Sequence, residues 1–313
     1  MIRIDDLALF VRAAALGSFS NAAREVDLLP GQVSAAIGRL ERELDIRLFA
    51  RSTRSLRLSS EGERYLPYAQ EVLATLREGR EHLRGPAATL EGSLQISMPS
   101  DLGRNLLLPW LDAFSRQHPG LALRLAFSDH VTDVFRDPVD VAIRLGRFDQ
   151  ASYVTLPLAE HNQRVLVAAP EYVQRHGMPG DVDALRGHEC LPYLLGHRVY
   201  DRWAFLVDGR KQVVQVRGGV VCDDADAVRR LALAGRGIAY KSWLDVAADV
   251  ADGRLLRLLP GCGEPVPAYL VCPHRRQFSP AIRSLHQFLG GHFQEHLQRY
   301  PLEDGARAAR AGQ

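Results

Sequence analysis

Between Ser18 and Ser60 the chain reads SFSNAAREVDLLPGQVSAAIGRLERELDIRLFARSTRSLRLSS, and no other stretch limits the fold as tightly. Ser18 and Ser20 are hydroxyl N-cap candidates, and Ala22, Ala23 and Val26 give Asn21 to Val26 the spacing of a short amphipathic helix. Leu28-Leu29-Pro30-Gly31 interrupts it, with Pro30 suited to the first turn of a new helix. From Gln32 onward Val33, Ala36, Ile37, Leu40, Leu44 and Leu48 recur at three- and four-residue steps, the mark of one buried stripe. The opposite face offers Gln32, Ser34, Ala35 and Arg39. Small and polar side chains there let a helix enter a major groove about 12 Å wide, where Gln and Arg can donate to base edges and phosphates.

After Phe49, the arginines Arg51, Arg54 and Arg57 alternate with Ser and Leu. Leu and Arg alternating over residues 54 to 58 predict a short strand, one face packed and the other presenting guanidinium to phosphate. A charge run alone is more often a solvated face. Its position directly behind a helix-turn-helix favours phosphate contact.

Those residues carry a family resemblance. IDDLALFVRAAALGSFSNAA, VSAAIGRLERELDIRLFAR and LRLSSEGE, spread over residues 4 to 63, resemble the DNA-binding domain of LysR-type transcriptional regulators. The chain departs from the pattern twice. Leu29 stands where the family usually has a capping Ser or Thr, a loss of about 1 kcal/mol. Asp45 stands where Gly is usual and must take a turn conformation that glycine adopts more easily. By this resemblance Asn21, Pro30, Gln32, Ser34 and Arg39 fall at groove and phosphate positions, with Arg51 and Arg54 in the wing.

At 313 residues the chain is long enough for one small and one large core. Its net charge of only +2 means that DNA affinity must be local. Lys211 and Lys241 are the sole lysines among 39 basic residues, so the abundance of arginine says little about mechanism. Asp5 and Asp6 occupy the place a cationic leader would need, Arg12 interrupts the apolar stretch, and no run of about 18 apolar residues follows. Those features predict a cytoplasmic protein with no membrane partner. Cys190, Cys222, Cys262 and Cys272 lack zinc-site spacing and read as structural or incidental thiols of a reducing compartment. A cysteine switch, as in the peroxide-sensing branch of the family, is the alternative reading.

Ser60 and Glu63 have capping-box spacing. Leu66, Ala69, Leu73, Leu76, Arg80 and Leu83 then follow the alternating three- and four-residue steps of a coiled-coil seam, interrupted by Arg80 and with Pro67 in the second turn. A long helix with one apolar stripe needs a partner, and the family match implies a dimerisation helix. Gly85-Pro86 begins a hinge. From Leu90 the pattern alternates strands (SLQISMPS, LALRLAFS, VDVAIRLG, Tyr153 to Leu158, Arg164 to Ala169, AYLVCPHRR) with helices (Leu102 to Gln117, from Pro170, and Pro280 to Leu297). VRGGVVCDDADAVRRLALAGRGIAYKS reads as strand, helix, strand. The fold class is therefore α/β, with ligand contacts at the carboxyl ends of strands. Residues 1–60 are expected to form the winged helix-turn-helix (helical with a small β wing), 61–89 the linker helix and hinge, and 90–300 a ligand-binding domain. The low-complexity tail, 301–313, is expected to be disordered.

Candidate ligand contacts sit at strand ends: Ser100, Ser128, Asp129, Arg144 and Asp223-Asp224, each equally readable as a helix cap or turn residue. The stretches DVAIRLG, RVLVAAPEYVQRHG, LALAGRGIAYKS and CPHRR resemble the family's periplasmic-binding-protein-like (type 2) effector domain of two subdomains, particularly a branch typified by a meningococcal adhesion regulator. That resemblance implies effector positions at Ser100, Ser128, Asp129, Arg144, Leu145, Asp223 and Lys241. A carboxylate at Asp223 would repel an anion, which leaves a neutral or amine-bearing effector open. The expected partners are double-stranded operator DNA, a second copy as homodimer or homotetramer, a small-molecule co-inducer and RNA polymerase; no cofactor, metal or catalytic residue is expected. No GxSxG, P-loop, HExxH or CxxC is present in the sequence, which argues against an enzyme. A solute-binding protein is the remaining alternative.

Overall fold

The structure is a computed structural model that describes residues 1–50, 56–84, 90–129, 139–146, 153–195, 198–207, 209–272 and 279–302. The chain divides into two compact units, the first built on Met1–Ala88 and the second holding nearly all that follows.

In the first unit, α1 (Ile4–Leu16) buries Leu7, Phe10 and Ala13 at three-residue steps and ends at Gly17, whose φ of 57° is left-handed. Helix α2 (Phe19–Arg24) is capped by Ser18, whose hydroxyl accepts the Asn21 N–H at 3.3 Å. Ser20 thus lies inside the helix, not at its cap. The Ala23 carbonyl accepts both Val26 and Leu28 N–H groups, and Asp27 turns the chain at φ 53°. Helix α3 (Pro30–Leu44) buries Val33, Ala36, Ile37 and Leu40 and ends on Asp45 at φ 53° and ψ 36°. That is the turn conformation the sequence demands of a residue where glycine would be easier.

The wing pairs β1 (Phe49–Ala50) antiparallel with β2 (Arg57–Leu58), Phe49 opposite Leu58 and Ala50 opposite Arg57. Arg51 and Arg54 lie outside the described residues. Helix α4 (Ser60–Arg84) starts hard against the wing: a Cβ on Gly62 would fall 2.0 Å from the Leu48 carbonyl oxygen. Phe10, Phe19, Phe49 and Tyr65 meet edge-on or tilted at 5.3 to 6.0 Å, a favourable geometry for aromatic rings.

Helix α4 departs from the expected seam. Ala69 is 1 % exposed, and Leu66 and Leu73 pack with it on the core of α1 and α3. The apolar residues left exposed are Tyr68, Val72 and Leu76, four residues apart and so on one face. The side chains of Arg80 and Leu83 lie outside the described set.

The second unit opens with β3 (Gly92–Met98), followed by α5 (Ser100–Leu102), a π-helical turn at Gly103–Leu107 and α6 (Leu108–Gln117). The single helix expected over Leu102 to Gln117 therefore carries a bulge. Pro109, with no N–H to give the preceding turn, sits where the π turn ends. Strands β4 (Leu121–Phe127), β5 (Val141–Leu145) and β6 (Val154–Ala159) follow. Next come β7 (Arg164–Ala168), α7 (Pro170–His176), hairpin β8–β9 (Tyr193–Leu195, Arg198–Tyr200) and hairpin β10–β11 (Arg202–Val207, Arg210–Gln215). Then come α8 (Ala225–Leu233), β12 (Ala239–Ser242), α9 (Trp243–Ala251), β13 (Leu256–Leu258), β14 (Ala268–Cys272) and α10 (Pro280–Arg299).

Two larger sheets organise these elements. One runs β4-β3-β5-β14-β6, with β3 parallel to β4 and β5, and β14 antiparallel to both its neighbours. The other, β12-β7-β13, is antiparallel throughout. The strand expected over VRGGVV does not form. Only Tyr193 and Cys222 make an isolated bridge there. The chain passes close to residues 190–194 there, a Cβ on Gly218 falling 1.8 Å from the Cys190 carbonyl oxygen, and is tied to them by single bonds, Cys190 N–H to the Arg217 carbonyl at 2.9 Å and Leu194 N–H to the Cys222 carbonyl at 2.7 Å.

Candidate functional sites

The first candidate surface is the exposed side of α3. Leu29 supplies the N-cap backbone but no side-chain bond. Gln32 supplies half of the missing cap, its Oε1 accepting the Leu29 N–H at 2.8 Å. That oxygen is committed to the backbone, so the Gln32 amide has its NH2 donors left for a base edge. Pro30, Gly31, Gln32, Ser34, Ala35 and Arg42 are exposed on α3, and Asn21 is exposed on α2. A helix about 10–12 Å across with such short side chains fits a major groove about 12 Å wide.

Arg39 is held differently from its neighbours. Its Nε and Nη2 fork onto Asp6 at 3.0 and 2.7 Å, and Asp6 is 3 % exposed. The hydrogen bonds it donates to Asp6 raise the Arg39 pKa. This pair fixes α3 against α1 and leaves only the remaining Arg39 N–H groups for another acceptor. Glu41 plays the matching role at the wing: Oε1 accepts the Leu48 N–H at 2.8 Å and Oε2 takes Arg47 at 2.8 Å. Arg42, Asp6 and Glu41 were not singled out from sequence. A buried acid in an otherwise apolar stripe is the signal that could have found Glu41.

The second candidate site is a cleft of about 90 Å³ between the two sheets of the second unit, lined by twelve of the described residues. From the five-stranded sheet come Pro99, Asp101, Ser128, Asp129, Arg144 and Leu145; opposite them stand Arg164, Tyr193, Ala225, Tyr240, Lys241 and Ser242. The strand-end residues Ser128, Asp129, Arg144, Leu145 and Lys241 are thus brought together. Ser100 is not on the wall and Asp223 is exposed away from it.

Ser100 instead ties the cleft's floor. Its Oγ donates to Asp129 Oδ2 at 2.5 Å and accepts the Ala225 N–H at 3.0 Å. Asp129 also accepts the Ser100 N–H at 2.8 Å and the Ala225 N–H at 2.8 Å. One carboxylate therefore bridges the start of α5 and the start of α8. Asp224, the α8 N-cap, accepts from Ala227 N–H at 3.0 Å and pairs with Arg104 at 2.7 Å. Burial would raise its pKa, but those bonds outweigh it and hold the carboxyl below its ordinary value.

The cleft's cations have distinct partners. Lys241 Nζ reaches Asp101 at 2.5 Å, the Ala225 carbonyl at 2.8 Å and Asp245 at 3.2 Å. Burial alone would favour the neutral amine; the two carboxylates reverse this and hold the pKa above its ordinary value. Arg144 donates to Ser97 Oγ at 2.7 Å and the Ile143 carbonyl at 2.9 Å. Arg164 has no ion pair with any described residue; it bonds Tyr193 and lies 5.5 and 5.9 Å from the Tyr200 and Tyr240 ring centroids. Arg164, Tyr193 and Tyr240 escaped the sequence reading, although an arginine opening the apolar run RVLVAA is a visible oddity.

The four cysteines are free thiols. Burial pushes Cys190 and Cys272 up to about 12. Burial, with Asp223 and Asp224 adding to it, also raises Cys222. Among the described residues no group of three or more His, Cys, Asp or Glu is placed to hold a metal, and no helix is long and apolar enough to cross a membrane.

Comparison with known proteins agrees with this geometry. Residues 4–63 match the bacterial regulatory helix-turn-helix model of the lysR family, and residues 87–294 match the LysR substrate binding domain. The HTH-type transcriptional regulator DmlR of Escherichia coli is 30% identical over 96% of this chain and 97% of its own. CrgA of Neisseria meningitidis is 30% identical over 82% of this chain and 84% of its own. A solved CrgA structure superposes with a TM-score of 0.58 at 27% identity, covering 93% and 98% of the two chains. Full-length AphB of Vibrio cholerae superposes at 0.57 with 25% identity, covering 92% and 99%. With a lysR helix-turn-helix model at one end and the LysR substrate binding domain over most of the remainder, the chain belongs to the LysR family and is an effector-controlled, DNA-binding transcriptional regulator.

Proposed function

We propose that this regulator reads an inverted-repeat operator as a homodimer or pair of dimers, and that the 90 Å³ cleft holds its effector. The observation that carries the reading is the exposed α3 face, where Gln32, Ser34 and Ala35 leave room for a groove while the buried stripe anchors the helix. Gln32 and Ser34 contact base edges. Asn21, the Pro30 turn, Arg39 and Arg42 meet the backbone, and Arg51 and Arg54 of the wing grip phosphate. Tyr68, Val72 and Leu76 of α4 are the face offered to a second copy. Effector binding in the cleft shifts the populations of the DNA-bound oligomer, with RNA polymerase as the downstream partner. The protein works in the cytoplasm and catalyses no reaction. Elevated thiol pKa values at Cys190, Cys222 and Cys272 weigh against a peroxide sensor, which needs an accessible thiolate.

Footprinting on the DNA flanking the protein's own gene tests the reading. Protection of a two-fold symmetric site is expected, with Gln32→Ala changing base preference at one half-site position. No protection there or on random genomic fragments at low salt would overturn it.

A further inference from the structure

We propose that the cleft receives a small monoanion on Arg164, and that Asp129 is a tethered carboxylate already seated where a second acidic group of a ligand would otherwise bind. This rests on the reading of the cleft as the effector site.

Among the described residues three cations and two carboxylates line the cleft: Arg144, Arg164 and Lys241 against Asp101 and Asp129. The lining therefore carries one positive charge in excess. Behind it, Asp245 and Asp249 are matched by Arg229 and Arg254. Lys241 is neutralised by Asp101 and Asp245. Of the cleft's guanidiniums, Arg164 has no ion pair with any described residue and is flanked by Tyr193, Tyr200 and Tyr240. A guanidinium in a partly closed site demands a counterion, and its planar fork matches a carboxylate in bidentate fashion.

The surrounding groups narrow the class further. The Tyr240 hydroxyl is fully used, donating to the Ala204 carbonyl at 2.8 Å and accepting the Glu264 N–H at 2.8 Å. Its ring is thus wall, not hydrogen-bonding partner. With Tyr193 beside it, the cleft offers an aromatic lining next to the guanidinium. At about 90 Å³ it admits a molecule of several heavy atoms at most.

Asp129 decides how many charges that molecule carries. Its oxygens take the Ser100 N–H, the Ser100 hydroxyl and the Ala225 N–H, the donors that an external carboxylate at these two helix starts would require. A group on a short tether competes at an effective concentration on the order of mM. A diacid gains nothing from its second carboxylate while Asp129 is in place. Asp223, which alone would have argued for an amine, does not line the cleft.

The test is calorimetric titration of the full chain with acetate, benzoate, succinate and benzylamine, each repeated with R164Q, R164K and D129N. A monoacid is expected to bind, succinate no better than acetate, and benzylamine not at all. R164Q should weaken the monoacid at least tenfold and R164K less, with melting temperature checked for each variant. D129N should raise succinate affinity relative to acetate. Failure of every acid to bind the natural chain, or an undiminished monoacid with folded R164Q, overturns the proposal. Should R164Q not fold, R164K decides: unchanged monoacid affinity overturns the proposal, and weakened affinity supports it. Binding of benzylamine, abolished by D129N and altering the footprint, overturns it while leaving the cleft as the effector site. An effector whose action survives every cleft substitution would instead remove the cleft from that role.

Discussion

Replacing Lys241 with methionine should be among the most damaging single changes in the second unit. The ammonium is 6 % exposed and faces Asp101 and Asp245, whose side chains are 7 % and 0 % exposed. Methionine keeps the length of the stem but leaves buried Asp101 without its cation, Asp245 with only Arg229 at 3.6 Å, and the Ala225 carbonyl without its donor. Removing one partner of a buried pair costs about 3–5 kcal/mol. With a urea slope of about 2–3 kcal/mol per molar for a domain of this size, the midpoint should fall by roughly 1–2 M. The assay is urea denaturation at pH 8 followed by tryptophan fluorescence, since Trp243 adjoins the site in sequence. The deficit should shrink at pH 5.5, where Asp245, lifted to about 7 by burial, is protonated. A loss below about 1 kcal/mol, or one independent of pH, would refute the argument.

Glu41→Leu should destabilise the first unit by roughly 2–4 kcal/mol, because the buried Leu48 N–H loses a charged acceptor, whereas Arg47→Ala should cost less than about 1 kcal/mol; equal losses in thermal melts would remove Glu41 from that role. Burial lifts Asp245 to about 7 even beside Lys241. The folded chain thus holds a proton there that the unfolded chain releases near 4, so this contribution is present below pH 4 and is lost as pH rises through 7. Asp245→Asn should flatten the fall in urea midpoint between pH 5.5 and 8.5, and an unchanged slope would contradict the assignment. Cys190 and Cys272, both buried with thiols near 12, should resist iodoacetamide at pH 7.5 until urea opens the fold, as mass spectrometry would show.

The sequence patterns that proved legible were periodic ones. Val33, Ile37 and Leu40 declared α3, and the apolar runs of β3, β4, β5 and β7 declared the sheets, because burial repeats along a regular element. The Ser128, Asp129 and Arg144 positions were legible for a related reason: they end strands, and strand ends in α/β sheets converge, whereas Lys241 came only from the family resemblance. What stayed hidden depends on distant pairing. Arg164 meets Tyr193, Tyr200 and Tyr240 across separations of 29 to 76 residues, and nothing local marks those tyrosines. The seam of α4 was misread because one stripe was assigned to a second copy when α1 already claimed Leu66, Ala69 and Leu73. The β10–β11 hairpin was not read, although Asp208-Gly209 is a turn signal in the sequence, because its second strand, RKQVVQ, is largely polar. Helix α9 was missed because WLDVAADVA follows β12 with no turn between them, Ser242 being both the last strand residue and the helix N-cap.

Helix α4 has a consequence for how such chains recombine. Its first turns close the core of the winged helix through Gly62, Leu66 and Ala69. A cut at residue 60 would therefore leave Phe10 and Phe49 facing water. A DNA reader of this kind cannot be traded between genes as a sixty-residue cassette. Any exchange that preserves folding must carry the helix along, and with it the exposed face of Tyr68, Val72 and Leu76. Operator preference and choice of partner are inherited together.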